Sequence, residues 1–237
     1  MGNIKDSQSP VYGYLQRPSM VDFEGHISLV VFTAGCNFNC GFCHNASLIS
    51  QAKGGISWSR LGTACQEFRK QWVDGVVISG GEPTLWGEEL ENLINLFKNY
   101  GFAVKLDTNG SNPDILKKVL PLIDYVSMDI KCSPDNYPAL VGFSTPEIIE
   151  DSVAMIKSSG IRHEFRTTIL EDFHTDAEMQ TVCQLLKGAQ RYILQPFLPR
   201  DNLPDEKLRN KARTSPDRLQ NLEKLMSPCA QEVIARL

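Results

Sequence analysis

The chain has 237 residues, with 24 Lys and Arg against 28 Asp and Glu, a formal net charge of -4 and a pI near 5.6. That balance supplies no basic field for nucleic acid, no apolar run approaches the ~20 residues that span a bilayer, and the first residues lack the apolar core of a signal peptide. A cytoplasmic protein without membrane or nucleic-acid partners is therefore expected, folded as a single domain over 1–237 that can bury roughly 70–75% of its unfolded surface.

Residues 1–25 are polar and rich in turn formers, with Pro10, Gly13, Pro18 and Gly25, and are expected to form an N-terminal arm with little regular structure. From Ile27 onward, short apolar runs alternate with amphipathic segments of helical length, the signature of repeated βα units around a parallel sheet. The pattern predicts strands near 28–33, 74–79, 102–107, 124–130, 162–169 and 190–195, and helices near 57–71, 86–99, 112–120, 145–159 and 174–187. Ser57 is placed to cap the first of these helices, Asn112-Pro113 to open the third, and Gly101 and Gly160 to end helices before strands. Beyond Arg200 runs a charged tail, 200–237, with one helix-like stretch near 216–226. Periodicity alone fits either a flat doubly wound sheet or a partial barrel.

The first predicted strand leads into Cys36-Asn37-Phe38-Asn39-Cys40-Gly41-Phe42-Cys43-His44-Asn45. Three thiols within eight positions of one loop are soft ligands, suited to zinc or an iron-sulfur cluster. Structural zinc normally takes four protein ligands, often as paired Cys-x2-Cys knuckles, whereas the first gap here is three residues and no second pair occurs. Three cysteines on a cubane cluster leave one iron open. The other cysteines, Cys65, Cys132, Cys183 and Cys229, stand alone in the sequence, which suits a reducing compartment and argues against a second cluster.

In parallel α/β folds ligands gather at the carboxyl ends of the strands, and the polar motifs of this sequence fall there. Gly80-Gly81-Glu82-Pro83 follows the second strand; its glycines allow close backbone approach to a ligand, or simply a tight turn. Asp107-Thr108-Asn109-Gly110 ends the third and could satisfy itself as a turn. Along Ser127-Met128-Asp129-Ile130-Lys131, strand alternation puts Asp129 and Lys131 on one side, as a site pair or a surface ion pair. Arg166, inside the apolar run of 164–169, is costly unless paired, so it is expected to point into a polar interior.

Together these elements resemble the radical S-adenosylmethionine (radical SAM) superfamily, and the Cys-His-Asn, Asp-Thr-Asn-Gly and Met-Asp-Ile-Lys strings resemble its glycyl-radical-enzyme activating enzymes, particularly the activating proteins of anaerobic ribonucleotide reductase. The likeness covers roughly 19–200, weakly over Ser19–Gly25, and decides for a partial, open (β/α)6 barrel. It implies that Cys36, Cys40 and Cys43 bind three irons of a 4Fe-4S cluster, with SAM on the fourth. It further implies SAM contacts from Phe42, Gly80, Gly81, Glu82 (amino group), Asp129 (ribose hydroxyls), Lys131 (carboxylate), Arg166 and Thr168 (beside adenine). A monovalent cation, Na or K, would be held by Asp107, Thr108, Asp129 and the Met128 carbonyl. The sequence departs from the family at Pro196-Phe197-Leu198, where pyruvate formate-lyase activating enzyme has Pro-Tyr-His, so a histidine contact to the nucleoside does not carry over to Leu198. His174 is either its substitute or a helix N-terminal residue.

The implied activity is reductive cleavage of SAM to a 5'-deoxyadenosyl radical that takes a glycine Cα hydrogen from a glycyl-radical protein, with electrons from a flavodoxin- or ferredoxin-like donor and no acid or base catalyst. The alternatives are a radical SAM enzyme acting on a small molecule or peptide, and a non-enzymatic iron-sulfur or zinc protein.

Overall fold

The computed structural model describes residues 7–51 and 53–237, so the first six residues of the expected N-terminal arm lie outside the described residues. The elements run β1 (Val11–Tyr14), β2 (Ser28–Thr33), α1 (Ala46–Ile49), α2 (Trp58–Lys70), β3 (Gly75–Gly80), α3 (Glu88–Asn99), β4 (Ala103–Thr108), α4 (Pro113–Val119), β5 (Tyr125–Asp129), α5 (Tyr137–Val141), α6 (Glu147–Ser158), β6 (Arg162–Ile169), α7 (Asp176–Leu186), β7 (Ala189–Pro196), α8 (Glu206–Arg209), α9 (Pro216–Met226) and β8 (Ala230–Ala235). The strands follow one another in the sheet in the order β1 to β8. All six expected strands and the five expected helices are present, with ends within two residues of those the pattern predicts. The chain forms two compact units. One takes in the described residues up to 37, then 47–108 and 114–126; the other takes in 38–46, 109–113 and 127–237.

In the first unit β2, β3 and β4 pair in parallel, Leu29 beside Val76 and Val76 beside Val104. Phe23, Val30, Val77 and Tyr125 form a buried cluster, with Phe32 and Ala103 packed against it. Leu61, Ala64, Cys65 and Phe68 of α2 and Leu90, Leu93, Ile94 and Phe97 of α3 are also buried; on each helix these positions fall on one face at the three- and four-residue spacing of an amphipathic helix against a sheet. Ser57 caps α2, its side chain accepting from the Arg60 backbone N–H. Gly101 takes a φ of 79° just past α3, the left-handed conformation that ends a helix without a Cβ clash.

The expectation of little regular structure over 1–25 is corrected by β1, which pairs antiparallel with β2. Its signal is weak because the run is four residues long and interrupted by Gly13, a poor strand former.

In the second unit β6, β7 and β8 pair in parallel, Phe165 beside Tyr192 and Tyr192 beside Val233. The tail contains the expected helix at α9, and beyond it an unexpected strand, β8. Leu219, Leu222 and Met226 of α9 are buried, and Arg218 donates to Asp176 (2.5 Å) and to the His174 carbonyl (2.6 Å). The reading of Cys183 and Cys229 as solitary thiols is corrected: they form a disulfide spanning 46 positions of sequence, which ties α7 to the turn before β8. Such a pairing cannot be read from two single cysteines whose proximity depends on the last βα unit.

Candidate functional site

Cys36, Cys40, Cys43, Cys65 and Cys132 are not in a disulfide. Burial pushes the thiol of Cys65 up to about 12 and that of Cys132 higher still, so neither offers a ready thiolate. The three loop cysteines remain, and as a donor set three thiols on one loop fit a soft iron-sulfur cluster. Among the described residues no group of three or more His, Cys, Asp or Glu is gathered as around one ion, the three loop cysteines included.

In the first unit the root of the cysteine loop is pinned by main-chain bonds. Gly35 N–H donates to Leu48 O at 2.9 Å, Cys36 N–H to Ile49 O at 3.3 Å, and Glu82 N–H to Gly35 O at 2.7 Å. The two glycines after β3 serve this contact. A Cβ on Gly81 would lie 1.7 Å from the Gly35 carbonyl oxygen, and one on Gly80, whose φ is +123°, 2.2 Å from Thr33 N. The close approach expected of this pair is therefore made to the chain just before Cys36. The Glu82 side chain is fully buried; its Oε1 accepts from Thr84 N–H (3.0 Å), Thr84 Oγ1 (2.6 Å) and Thr108 Oγ1 (2.7 Å). The side chain of Asp107 has Lys105 Nζ 3.7 Å from its Oδ1.

In the second unit the loop turns tightly, Cys43 N–H donating to Cys40 O at 3.2 Å, and Asn39 N–H is held by Val141 O at 2.8 Å. Phe38 packs between Tyr137 and Phe143. The segment after β7 holds the loop as well: Gly41 O accepts from Asp205 N–H at 3.0 Å, and His44 Nε2–H donates to Leu198 O at 3.0 Å. Leu198 thus meets the cysteine loop through its carbonyl. Burial pushes the Cys43 thiol up, opposed by a hydrogen bond to the Asn45 backbone and by the charge of Lys131.

Asp129, at the end of β5, is gripped from both sides. Its Oδ1 accepts from Arg166 Nε and its Oδ2 from Lys131 Nζ, each at 2.9 Å. Burial would raise the Asp129 carboxyl, but the charges of Arg166 and Lys131 outweigh it and hold the group far below the usual carboxylate range. Burial alone would lower Lys131; Asp129, with help from Cys40, instead raises it. The expectation that Asp129 and Lys131 share a side, and that Arg166 is paired in a polar interior, is what the structure contains. Lys131 Nζ also sits 6.0 Å from the centroid of the Phe42 ring. Thr168 stands two positions beyond Arg166 on β6, on the same face by alternation. Met128 is buried and its side chain fills the space that a Cβ on Gly110 would need.

Sequence reasoning named His174 only as a nucleoside contact or a helix N-terminal residue and did not single out Tyr137 or Glu178, yet these three fix the backbone around Lys131. Its N–H donates to the Tyr137 hydroxyl oxygen at 3.1 Å and its carbonyl accepts from His174 Nε2–H at 2.9 Å. His174 Nδ1 accepts from Leu170 N–H at 2.9 Å, which sets the ring as the neutral Nε2–H tautomer, and burial lowers its pKa. Both ring nitrogens are thus committed to the main chain. Two residues further, Glu178 accepts from Ser133 N–H (2.5 Å), Ser133 Oγ (2.9 Å) and Asn136 Nδ2 (2.7 Å). His174, just before α7, Glu178 in its first turn and Tyr137 of α5 therefore hold the strand exit that carries Asp129 and Lys131.

The profile of the Radical SAM superfamily matches residues 30–186. A Methanocaldococcus jannaschii protein named, provisionally, as a glycyl-radical enzyme activating enzyme is 29% identical over 225 residues, 92% of each chain. Pyruvate formate-lyase-activating enzyme of Streptococcus mutans is 27% identical over 222 residues, 84% of each chain. A 7-carboxy-7-deazaguanine synthase of Thermococcus kodakarensis is 27% identical over 199 residues, 74% of this chain and 76% of its own. Among solved structures, Streptococcus suis SuiB bound to S-adenosylmethionine superposes with a TM-score of 0.67 at 13% identity, over 86% of this chain and 48% of its own, a likeness of fold.

Proposed function

The chain belongs to the radical SAM superfamily, and from that premise we propose that it is a glycyl-radical-enzyme activating enzyme whose partner is an anaerobic ribonucleotide reductase. The observation that carries the reading is the match, along 92% of each chain, to a protein named provisionally as a glycyl-radical enzyme activating enzyme, together with a loop whose three cysteines lie outside any disulfide. The family implies a 4Fe-4S cluster and SAM, and the donor set fits them: Cys36, Cys40 and Cys43 would hold three irons. When bound, the reduced cluster supplies the one electron that splits SAM into methionine and a 5'-deoxyadenosyl radical, which takes the hydrogen atom.

The protein's own part is positioning. Lys131 has three donors, one of them used on Asp129, leaving others for the SAM carboxylate. Each Asp129 oxygen keeps a second lone-pair direction beyond its bond to Lys131 or Arg166, which suits the ribose hydroxyls. Gly80, Gly81 and Glu82 would meet the amino group, Phe42 would shield the sulfonium side, and Arg166 and Thr168 would line the nucleoside. No side chain is needed as an acid or base. The electron enters from a flavodoxin- or ferredoxin-like protein, and the compartment is cytoplasmic, the Cys183–Cys229 disulfide being the one feature that a reducing compartment does not account for.

The test is anaerobic incubation of reconstituted, reduced protein with SAM and the reductase. The expected outcome is a doublet glycyl-radical signal in electron paramagnetic resonance together with 5'-deoxyadenosine; SAM cleavage without any such radical would overturn the assignment. A second reading, a radical SAM enzyme acting on a small molecule, is favoured by the match to the deazaguanine synthase. It predicts deoxyadenosine release that depends on a small substrate and ignores the protein partner.

A further inference from the structure

The tail is joined to α7 at two places, one ionic and one covalent. We infer that the covalent one, Cys183–Cys229, is a reversible thiol–disulfide switch whose closing stiffens the strand exit that carries Lys131 and so strengthens SAM binding. The role of Lys131 toward SAM rests on the proposed function; the link from the disulfide to its strand exit does not. In the second unit α7 and α9 touch. At their first turns Arg218 of α9 donates to Asp176 Oδ1 (2.5 Å) and to the His174 carbonyl (2.6 Å). Further along, Cys183 of α7 is bonded to Cys229, which follows the end of α9. The two helices therefore run the same way and are clamped at both ends.

The route from the clamp to the site is short. Cys183 follows Glu178 on α7 by about 7.5 Å of helix. Glu178 accepts from Ser133 N–H and Ser133 Oγ, and His174, just before α7, donates to the Lys131 carbonyl and accepts from Leu170 N–H. With the disulfide closed, α7 cannot fray from its far end towards these residues; with it open, that end is kept by packing alone and local opening becomes easier. A strand exit that is already ordered loses less freedom when a ligand binds. The chemistry is available. Cys183 is half-buried and Cys229 fully buried, so a thiolate from solvent attacks Cys183 Sγ, and Cys229 leaves as a thiolate and takes up a proton. A second thiolate attacks the mixed disulfide at its non-protein sulfur and releases Cys183. In sum, two glutathione thiols become glutathione disulfide, giving two electrons and two protons to the protein pair, and closing is the reverse with glutathione disulfide as the oxidant. A pair that opens in this way also accounts for a disulfide in a compartment that keeps thiols reduced.

The experiment is anaerobic equilibration of the reconstituted protein in glutathione buffers from fully reduced to fully oxidised, with the state of Cys183 and Cys229 read by differential alkylation and peptide mass spectrometry. We expect the pair to open in reduced glutathione without unfolding of the chain and to close again in the oxidised buffer. At equal iron content the open form should exchange the Ser133 and Leu170 amides about tenfold faster than the closed form, with the Val76 and Val104 amides of the first unit unchanged, and should bind SAM about fivefold more weakly, both on the scale of ordinary coupling. A Cys183→Ser/Cys229→Ser protein should match the open form in every buffer. A pair that stays closed in reduced glutathione and opens only on denaturation would be a permanent staple and would overturn the inference, as would equal exchange at Ser133 and Leu170 in the two forms or a SAM affinity blind to the state of the pair. If the double variant fails to fold, the wild-type series decides alone. Absence of SAM binding in every buffer would instead defeat the proposed function, and the exchange rates would still decide whether the disulfide governs the strand exit.

Discussion

Replacing His174 by leucine tests whether one buried ring governs the strand exit that carries Lys131. The side chain is fully buried, and leucine fills much of the same volume, so the loss is chiefly of hydrogen bonds: Leu170 N–H loses Nδ1 and Lys131 C=O loses Nε2–H. A buried group left unsatisfied costs about 1–3 kcal/mol, so the pair predicts a destabilisation of about 2–6 kcal/mol, and a fall in Tm of roughly 2–4 °C for each kcal/mol in a chain of this size. The pH dependence separates this from mere packing. Burial lowers the His174 pKa below its ordinary value of 6.5. The unfolded chain therefore binds more protons than the folded one, and the stabilisation, complete above the unfolded pKa, drains away as pH falls below about 6.5 towards the folded value. One such group changes stability by at most about 1.4 kcal/mol per pH unit. Urea midpoints of wild type and variant at pH 7.5 and 5.5 measure both effects; wild type should lose more on acidification, with buried His163, whose pKa burial also lowers, contributing the same sign in both proteins. Equal stabilities at pH 7.5, or parallel losses on acidification, would refute the reasoning.

Cys40→Ala should abolish the cluster's visible absorption along with SAM cleavage. Asp129→Ala should keep the cluster but weaken SAM roughly 10- to 100-fold by equilibrium dialysis, the scale of one or two charge-assisted hydrogen bonds; full SAM cleavage by both variants would mean the site is elsewhere. Gly81→Ala should fail to incorporate iron or should lose most of its stability, because the added Cβ would stand 1.7 Å from the Gly35 carbonyl oxygen; normal iron content and Tm would show that this backbone approach is dispensable. Cys229→Ser opens a disulfide spanning 46 positions, for which loop entropy predicts a loss of about 4 kcal/mol, read as a lower urea midpoint that matches reduced wild type.

Much of this was legible in the sequence because two periodicities carry it. The six β/α repeats show as apolar runs and amphipathic segments, and alternation along β5 and β6 correctly puts Asp129, Lys131 and Arg166 on one face, where they meet. The same rule applied to Lys105-Leu106-Asp107 would have found the second buried ion pair, which passed as part of a turn motif. The anchors of Lys131 were illegible for a different reason. Tyr137, His174 and Glu178 come from separate elements and converge on the main chain of 131–136, and no local pattern records which backbone group a side chain will reach. β8 and the disulfide fall in the same class, since both depend on the last helix folding back on α7.

The two glycines after β3 show how one sequence motif can serve two ends. Read from the sequence, their lack of a Cβ allows either close backbone approach to a ligand or a tight turn. The structure adds a prior use: Gly80 and Gly81 let the strand exit close on Thr33 and Gly35, and the next residue, Glu82, donates its N–H to Gly35. The chain entering the cysteine loop is thereby fixed before any ligand arrives, and the Glu82 carboxylate is tied to Thr84 and Thr108 at the exits of β3 and β4. A radical generated in such a site needs its precursors held still more than it needs proton transfer, and the bonds that supply this rigidity run through the main chain. Substitutions that disturb that main chain, at Gly81 or His174, should therefore damage the site as much as the loss of a residue that touches SAM.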